Sequence, residues 1–434
     1  MLLGCLVLTR SSPVAGADAP EPYPTLWNQQ PAAPEALFSF GQFSPPPPAG
    51  GAKTTHEQAW STRWSGVEAI RPWTELALEL IVKYQQNPLR AARVLTLMHT
   101  AMHDALVLAV HNKLGPAERV TAMHRAAGLV LNHLYPQEPA GRLEGLGVAA
   151  ASAATARSDV AAGRIKAALQ SGEQAAALAI YRSTRDGAGK QWHIRLRPKD
   201  APGRWRATPP LNAYNPTEAL AGAWRTWVLR DGGEFKPPTP PAFDSPAYQR
   251  EVEEVLHFSR ALTAEQKAIA DRWHLGQGTV TPAGVWNMIA LDLARASRLD
   301  PERSAEVFAA LNVAIMDAFI ACWHVKYTWW TERPVTAIRE RLDPSYLPHL
   351  VTPAFPSYTS GHATMSGAAE TVLAAFFPER AAWLREQSEE AALSRLYGGI
   401  HFRSDNDDGL KHGRRIGERV VDHLKGRKSV TGDQ

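Results

Sequence analysis

The amino-acid sequence predicts an all-α protein. From about residue 60 onward, apolar residues recur at helical spacing, and runs that alternate between apolar and polar residues, which would indicate strands, are absent. Helix-start signals accompany the pattern. Asp300 directly before Pro301, for example, is typical of an N-cap followed by proline at the first helical position. We therefore expect helices packed against helices, without a sheet.

The predicted helices form two groups separated by an irregular stretch. Between Gly187 and Pro241, Pro and Trp are frequent and periodicity is weak. Such a long connection in a compact domain is usually functional or wraps a surface. Helices resume at residue 263, where Thr263 and Gln266 have the spacing of a capping box. The segments expected to be helical are 70–86, 90–110, 122–134, 159–182, a segment from 263, 301–326, 362–376, 378–396 and 406–424.

Composition and charge argue against several classes of protein. The chain has 434 residues and an apolar fraction of 44%, which is too high for a disordered protein. Lys and Arg number 47 against 43 Asp and Glu, and this balance is too small to indicate nucleic-acid binding. No apolar run approaches the ~18 residues of a spanning helix, so we expect no membrane span. The chain has only two cysteines, Cys5 and Cys322, so we expect no disulfide framework.

The N-terminal region differs from the rest of the chain. Residues 1–17 are predicted as a signal peptide, because an apolar start precedes an Ala-Gly-Ala triplet that resembles a signal-peptidase site. The basic n-region of such a signal is missing, so a cytoplasmic location stays open beside export to the periplasm or the medium. Residues 18–59 are rich in Pro and Gly, which indicates an arm or linker. We expect one domain over 60–425 and a tail over 426–434.

Three short motifs in the last quarter contain the residue types of an anion site. Their key residues are Lys326, Arg333, Ser360, Gly361, His362, Arg395 and His401. Seven residues, about two helical turns, separate Lys326 from Arg333, so both cations can face one direction. Ser360 and the two residues after it open a helix, whose free N–H groups and positive dipole end suit an anion. Together these groups suit a tetrahedral oxyanion that passes through a five-coordinate state.

In this order and spacing, the motifs resemble the signature of the vanadium-dependent haloperoxidase and type-2 phosphatidic acid phosphatase superfamily. That signature reads Lys-x6-Arg-Pro, then Pro-Ser-Gly-His, then Ser-Arg-x5-His. Upstream, Met98–Ala105 and Thr281–Asn287 resemble segments of its bacterial vanadium haloperoxidase-like branch, as does Arg333–Arg339. Thr359 stands where the signature has Pro, and we expect it to loosen the loop without removing a ligand. The resemblance implies a helical bundle of the vanadium chloroperoxidase and acid phosphatase type, with long irregular connections.

The resemblance also implies a role for each residue. His401 would be the axial ligand to the vanadium of vanadate, or the nucleophile that forms a phosphohistidine, and Asp405 would orient its ring. His362 would be the general acid–base group. Trp323 and Phe355 resemble aromatic positions of a halide pocket, with core packing as the alternative. The oxyanion would be bound by Lys326, Arg333, Ser360, Gly361 and Arg395.

Two activities share such a site, and the resemblance favours the first. A long N-terminal helical half, without the transmembrane helices of lipid phosphatases, favours oxidation of a halide by hydrogen peroxide with vanadate as cofactor. The alternative is an acid phosphatase that acts on a phosphomonoester without a cofactor. A third reading is an oxyanion-binding protein without turnover. The expected partners are these small molecules and not nucleic acid, and the resemblance makes a homodimer an expected assembly.

One segment bears on the choice of halide. Fungal chloroperoxidases place an acidic residue near the acid–base His from a Trp-containing segment. The corresponding stretch here, Trp273–Gly276, contains no carboxylate, although Asp271 lies just before it. The sequence therefore puts chloride oxidation in doubt more than bromide or iodide oxidation.

Overall fold

The computed structural model describes residues 27–28, 69–155 and 160–431, and these residues form helices joined by loops. Apart from one isolated bridge between Arg204 and Thr331, they contain no β-structure, so the all-α prediction is confirmed. Three short 3-10 helices accompany the α-helices. The α-helices in chain order are α1 (Arg71–Lys83), α2 (Pro88–His111), α3 (Pro116–Leu134), α4 (Arg142–Thr155), α5 (Ala162–Ser183), α6 (Pro246–Arg260), α7 (Ala264–Arg272), α8 (Thr281–Ala296), α9 (Pro301–Trp329), α10 (Pro334–Arg341), α11 (Gly361–Phe376), α12 (Ala381–Tyr397) and α13 (Arg403–Thr431).

The helices form two bundles. Helices α2 to α5 pack against one another in the N-terminal half, and α9, α11, α12 and α13 pack together in the C-terminal half. Helix α9 also packs against α2 and so joins the bundles. It is 29 residues long, and almost every side chain from Ser304 to Lys326 is buried. A helix that is apolar on all sides is expected at such a central position.

Most predicted helices are observed within a few residues of their predicted bounds. The capping box of Thr263 and Gln266 is present, and Asp300 accepts a hydrogen bond from the Arg303 N–H at 2.7 Å. The stretch from Gly187 to Pro241 contains only two 3-10 helices, as expected for an irregular connection. Four helices, α4, α6, α8 and α10, lie outside the predicted segments. Helix α4 is rich in Gly and Ala, which weakens its apolar stripe.

Two long helices bear on the expectation that the chain has no membrane span. Helices α2 and α9 are long and apolar enough to cross a membrane by length and composition. However, 78% and 94% of their most apolar windows are buried inside the protein. Because buried core helices pass the same test, these two helices do not establish a span.

Two residues of the N-terminal region are anchored in the core. The predicted signal peptide and the rest of the predicted arm lie outside the described residues, but Trp27 and Asn28 are described and buried. Their main-chain N–H groups donate to the buried carboxylate of Asp104 on α2 at 2.8 and 3.1 Å. These contacts fix two residues of the predicted arm against α2. At the other terminus, α13 continues to Thr431, beyond its predicted end.

Small residues bring α11 and α13 into close contact. A Cβ atom built at Gly367 would lie 2.5 Å from the Leu410 carbonyl oxygen, and one at Gly417 would lie 2.8 Å from the Ala368 carbonyl oxygen. Neither position can therefore take a side chain unless the helices separate. This close approach sets the N-termini of the two helices beside each other, where several of the predicted site residues lie.

Candidate active site

The predicted site residues lie where the ends of five helices meet. Lys326 is in the last turn of α9, and Arg333 is the N-cap of α10. Ser360 is the N-cap of α11, Arg395 is in the last turn of α12, and Asp405 is in the first turn of α13. Helix ends expose main-chain N–H and C=O groups that lack helical partners, so such a junction is rich in polar main chain.

Lys326 and Arg333 converge by a different route from the one predicted. Helix α9 ends at Trp329, and Trp330 adopts a left-handed conformation with φ of 55°. Arg333 then has extended backbone angles as the N-cap of α10. The prediction that two turns of one helix align the cations is therefore wrong. The chain reversal after α9 brings them together instead.

The ammonium group of Lys326 is held by main-chain oxygens. Its Nζ donates to the carbonyls of Pro356 and Ser357 at 2.8 and 2.7 Å, and the side chain is fully buried. Burial lowers the pKa of Lys326 to about 7, because desolvation penalises the charged form. At neutral pH, the charge of this lysine is therefore sensitive to any anion that arrives beside it.

Arg333 is held in the same way and keeps one donor group unused. Its Nε donates to the Phe355 carbonyl at 2.8 Å, and its Nη1 donates to the Ile400 carbonyl at 2.7 Å. The same Nη1 lies 3.1 Å from Nε2 of His401. The buried Nη2 has no hydrogen-bond partner among the described residues. Burial lowers the pKa of Arg333 to about 10, so the guanidinium stays charged at neutral pH.

Arg395 completes the set of buried cations. Its Nη2 donates to the Trp273 carbonyl at 2.6 Å and lies 3.3 Å from the Ala270 carbonyl. Burial, and then the charge of Arg333, lower the pKa of Arg395 to about 9. Within the described part of the chain, no carboxylate forms an ion pair with any of the three cations. The buried carboxylate of Asp405, which favours the charged forms of Lys326 and Arg333 without an ion pair, offsets only part of the positive charge of the site.

His401 is oriented by Asp405, as predicted. Its Nδ1 lies 2.8 Å from Oδ2 of Asp405, and this oxygen also accepts the Ser357 hydroxyl at 2.5 Å and the Phe402 N–H at 3.0 Å. These partners place the ring proton on Nδ1 and leave the Nε2 lone pair facing Arg333. Burial, and then the charges of the surrounding cations, lower the pKa of His401 well below its usual value. The imidazole is therefore neutral and available as a nucleophile or ligand.

The N-terminus of α11 supplies N–H groups and the second histidine. The N–H groups of Gly361 and His362 have no acceptor within the helix. A Cβ at Gly361 would lie 3.4 Å from the Trp323 ring, so the backbone approaches that ring closely. The buried Nε2 of His362 has no partner among the described residues, while its ring bonds to the Trp273 main chain. Burial, and then the charge of Arg395, lower the pKa of His362 well below its usual value.

The two aromatic residues predicted for a halide pocket lie together beside the cations. The ring centroids of Trp323 and Phe355 are 4.9 Å apart, and Nζ of Lys326 lies 5.2 Å from the Phe355 centroid. However, the indole N–H of Trp323 donates to the Thr217 carbonyl at 3.1 Å. Trp323 can therefore offer its ring to the site but not its N–H donor.

Near the motifs, two residues differ from expectation, and the roles of two others were not predicted. Thr359 does not loosen its loop, because it is buried, its hydroxyl lies 3.2 Å from that of Thr364, and its carbonyl accepts a hydrogen bond from Cys322. Asp271 makes no described contact with His362. Its Oδ1 lies on the surface, 2.8 Å from Nε2 of His349. The roles of Ser357 and of the Trp273 carbonyl were not predicted. Ser357 stands inside the second motif, which is the one signal the sequence offers for it.

Comparisons with known proteins agree with this geometry. The sequence model of the VCPO second helical-bundle domain matches residues 306–383 and 379–428, which contain the seven motif residues. The crystal structure of a bacterial vanadium-dependent iodoperoxidase is similar over 82% of this chain and 96% of its own, with 27% identity and a TM-score of 0.69. No curated protein is similar enough to match the chain.

Two further crystal structures show the same fold at lower identity. The apo-type bacterial vanadium-dependent chloroperoxidase has 19% identity and a TM-score of 0.60, over 77% of this chain and 92% of its own. The holo-type enzyme has 16% identity and a TM-score of 0.57, over 82% of this chain and 93% of its own. The matched domain and the shared fold support the vanadium haloperoxidase-like superfamily for this chain.

Proposed function

We propose that the protein is a vanadate-dependent haloperoxidase that oxidises iodide or bromide with hydrogen peroxide. One observation carries the proposal: three buried cations are held by main-chain carbonyls around His401, whose pKa each of them lowers, and no described carboxylate forms an ion pair with them. Such a set is expected to bind a multiply charged oxyanion strongly, because the desolvation of the cations has already occurred on folding.

The residues present fit vanadate. The unpartnered Nη2 of Arg333 and Nε2 of His362 are buried polar groups that require a partner, and an oxyanion supplies one. Lys326 and Arg395 would balance its charge, and the Ser360 hydroxyl and Gly361 N–H would bond its oxygens. Nε2 of His401 would bind the vanadium. When bound, vanadate supplies a Lewis-acid centre at which hydrogen peroxide becomes able to oxidise a halide.

The chain's own groups then have separate tasks. Asp405 keeps the ring proton of His401 on Nδ1, so that Nε2 keeps a lone pair; this lone pair faces Nη1 of Arg333 at 3.1 Å and would bind vanadium once the anion accepts that N–H instead. The neutral Nε2 of His362 would take a proton from hydrogen peroxide and return it to an oxygen atom that leaves as water. The rings of Trp323 and Phe355 provide a polarizable surface beside Lys326 on which a halide can rest.

The preference for iodide or bromide rests on the partner of His362. A carboxylate partner would strengthen its basicity, but the ring bonds to the Trp273 main chain instead, and Asp271 pairs with His349. A weaker base gives less help with chloride, which is the hardest of the three halides to oxidise. The similarity to a bacterial iodoperoxidase at 27% identity supports the same preference.

One preparation assayed in two ways tests the proposal. Protein loaded with orthovanadate is expected to iodinate and brominate a phenol dye in the presence of hydrogen peroxide, with little or no chlorination. The vanadate-free protein is then assayed on an aryl phosphate. Strong phosphatase activity without halogenation by any halide would show that His401 serves an acid phosphatase instead. Binding of orthovanadate without either activity would indicate a non-catalytic binding protein.

The pH dependence of anion binding gives an independent check. Burial lowers the pKa of Lys326 to about 7, and a bound oxyanion favours the ammonium form, so binding above pH 7 requires proton uptake. Sulfate affinity is therefore expected to fall as pH rises from 6 to 9, by up to about tenfold per pH unit. Sulfate keeps its own charge over this range, so calorimetric titration reports on the protein. Lys326→Arg, which stays charged, should flatten the dependence, and a flat wild-type profile would contradict the assignment.

A further inference from the structure

The C-terminal end of α7 is docked onto α12 by polar contacts on both sides of Trp273. The Trp273 indole N–H donates to Oε1 of Glu390 at 2.8 Å, and Arg272 forms an ion pair with Oε2 of the same carboxylate at 2.8 Å. On the other side, Arg395 donates to the Trp273 carbonyl at 2.6 Å. Glu390 and Arg395 both belong to α12, so this helix contacts the C-terminal end of α7 at two points.

The Trp273 carbonyl is shared by two groups of the anion site. It accepts Nη2 of Arg395 at 2.6 Å, and a main-chain interaction with Trp273 partly opposes the lowering of the His362 pKa by burial. Nε2 of His362 has no hydrogen-bond partner among the described residues. The negative end of the α7 dipole adds to the attraction for the guanidinium. The position of one carbonyl therefore sets the direction of a cation and of an imidazole.

The anchoring of Trp273 is well suited to this task. Its side chain is 3% exposed, and its ring centroid lies 6.4 Å from that of Trp286. Glu390 reaches it from the partly exposed face of α12, where the carboxyl group has no contact with the anion site itself. Loss of the indole contact would let the end of α7 move, and the carbonyl would move with it.

We propose that Trp273 and Glu390 are positioning residues of the oxyanion site: Glu390 fixes the Trp273 indole, and the Trp273 carbonyl aims Arg395 and His362 at the anion. The inference rests on the proposed oxyanion-binding function. It assigns to the α7 end a role in binding strength and not only in folding.

Orthovanadate titration of the vanadate-free protein tests the inference. Trp273→Phe removes the indole N–H and part of the ring, and it is expected to weaken orthovanadate binding by roughly 10- to 100-fold, as outer-shell changes at metal sites do. Trp73→Phe is the matched control. It removes the indole bond to His124 at 2.8 Å in the N-terminal bundle, and it should leave the affinity unchanged at a comparable loss of thermal stability.

Glu390 variants supply a second and more exposed test. Glu390→Leu should reproduce the loss of affinity, and Glu390→Gln, which keeps an acceptor for the indole, should restore most of it. Equal affinities in the Trp273 and Trp73 variants, or no difference between the two Glu390 variants, would overturn the inference while wild-type binding stands. A wild-type protein that does not bind orthovanadate would instead overturn the proposed function, and the inference with it.

Discussion

His401→Ala is expected to abolish turnover, with a loss of at least about 1,000-fold, because it removes the nitrogen proposed to bind the vanadium. The described structure places the Nε2 lone pair of this ring 3.1 Å from Nη1 of Arg333 and directs its proton toward Asp405. No other described group combines these properties at the junction of the helix ends. Orthovanadate affinity should fall as well, since the covalent bond is lost while the cations remain. Steady-state halide oxidation and an orthovanadate titration measure the two effects.

A second buried histidine provides the control. His412 on α13 is 2% exposed, as is His401, and burial likewise lowers its pKa, to about 4. His412→Ala creates a similar cavity but removes no group from the site, so it should reduce thermal stability and leave the activity per folded molecule intact. Equal losses of activity in both variants would mean that cavity formation, and not the loss of Nε2, explains the His401 result.

Arg333→Met is expected to weaken oxyanion binding by roughly 10- to 100-fold, which corresponds to the ~1.5–3 kcal/mol of a hydrogen bond to a charged group. The variant removes the unpartnered Nη2 and one of the three positive charges. It should also raise the pKa of His401 toward its usual value, because the charge of Arg333 is the largest electrostatic cause of its depression after burial. Orthovanadate titration measures the first effect, and the pH dependence of halide oxidation reports the second.

Arg182 offers a matched comparison. It is also buried, and its Nη2 donates to the main-chain carbonyls of Arg225 and Thr226 at 3.1 and 2.6 Å. Arg182→Met therefore removes a buried guanidinium that donates to two main-chain carbonyls, much as Arg333→Met does, but it does so outside the site. If both variants lost affinity alike, a general loss of packing and not the missing charge would be responsible.

The sequence allowed the candidate site residues to be identified, but not the backbone geometry that brings them together. The motif residues could be identified because each motif is short and contiguous, and helix starts such as Asp300-Pro301 follow from local chemistry. The convergence of Lys326 and Arg333 could not be derived correctly, because a left-handed Trp330 ends α9 where a continued helix was assumed. Local spacing does not reveal where a chain reverses through an unfavoured backbone conformation.

Local sequence patterns did not predict contacts between residues that are far apart along the chain. Glu390 and Trp273 are separated by 117 positions in sequence, and the carbonyl that holds Arg395 has no side-chain signature at all. Main-chain oxygens are present at every residue, so no motif marks those that will bind a cation. Helix α6 is a different case, since Ser245 and Pro246 are a helix-start signal that the sequence does contain.

The unbalanced charge of the three cations has a consequence for the folding equilibrium of the whole chain. Any anion that binds only the native protein adds RT ln(1 + [L]/Kd) to its free energy of unfolding, about 2.7 kcal/mol at a hundredfold excess over Kd. With oxyanion binding as proposed, phosphate or sulfate in a buffer is expected to act as such a ligand, because it would neutralise like charges that α9, α10 and α12 hold together. The salt in which the protein is kept becomes a determinant of how long it survives heating.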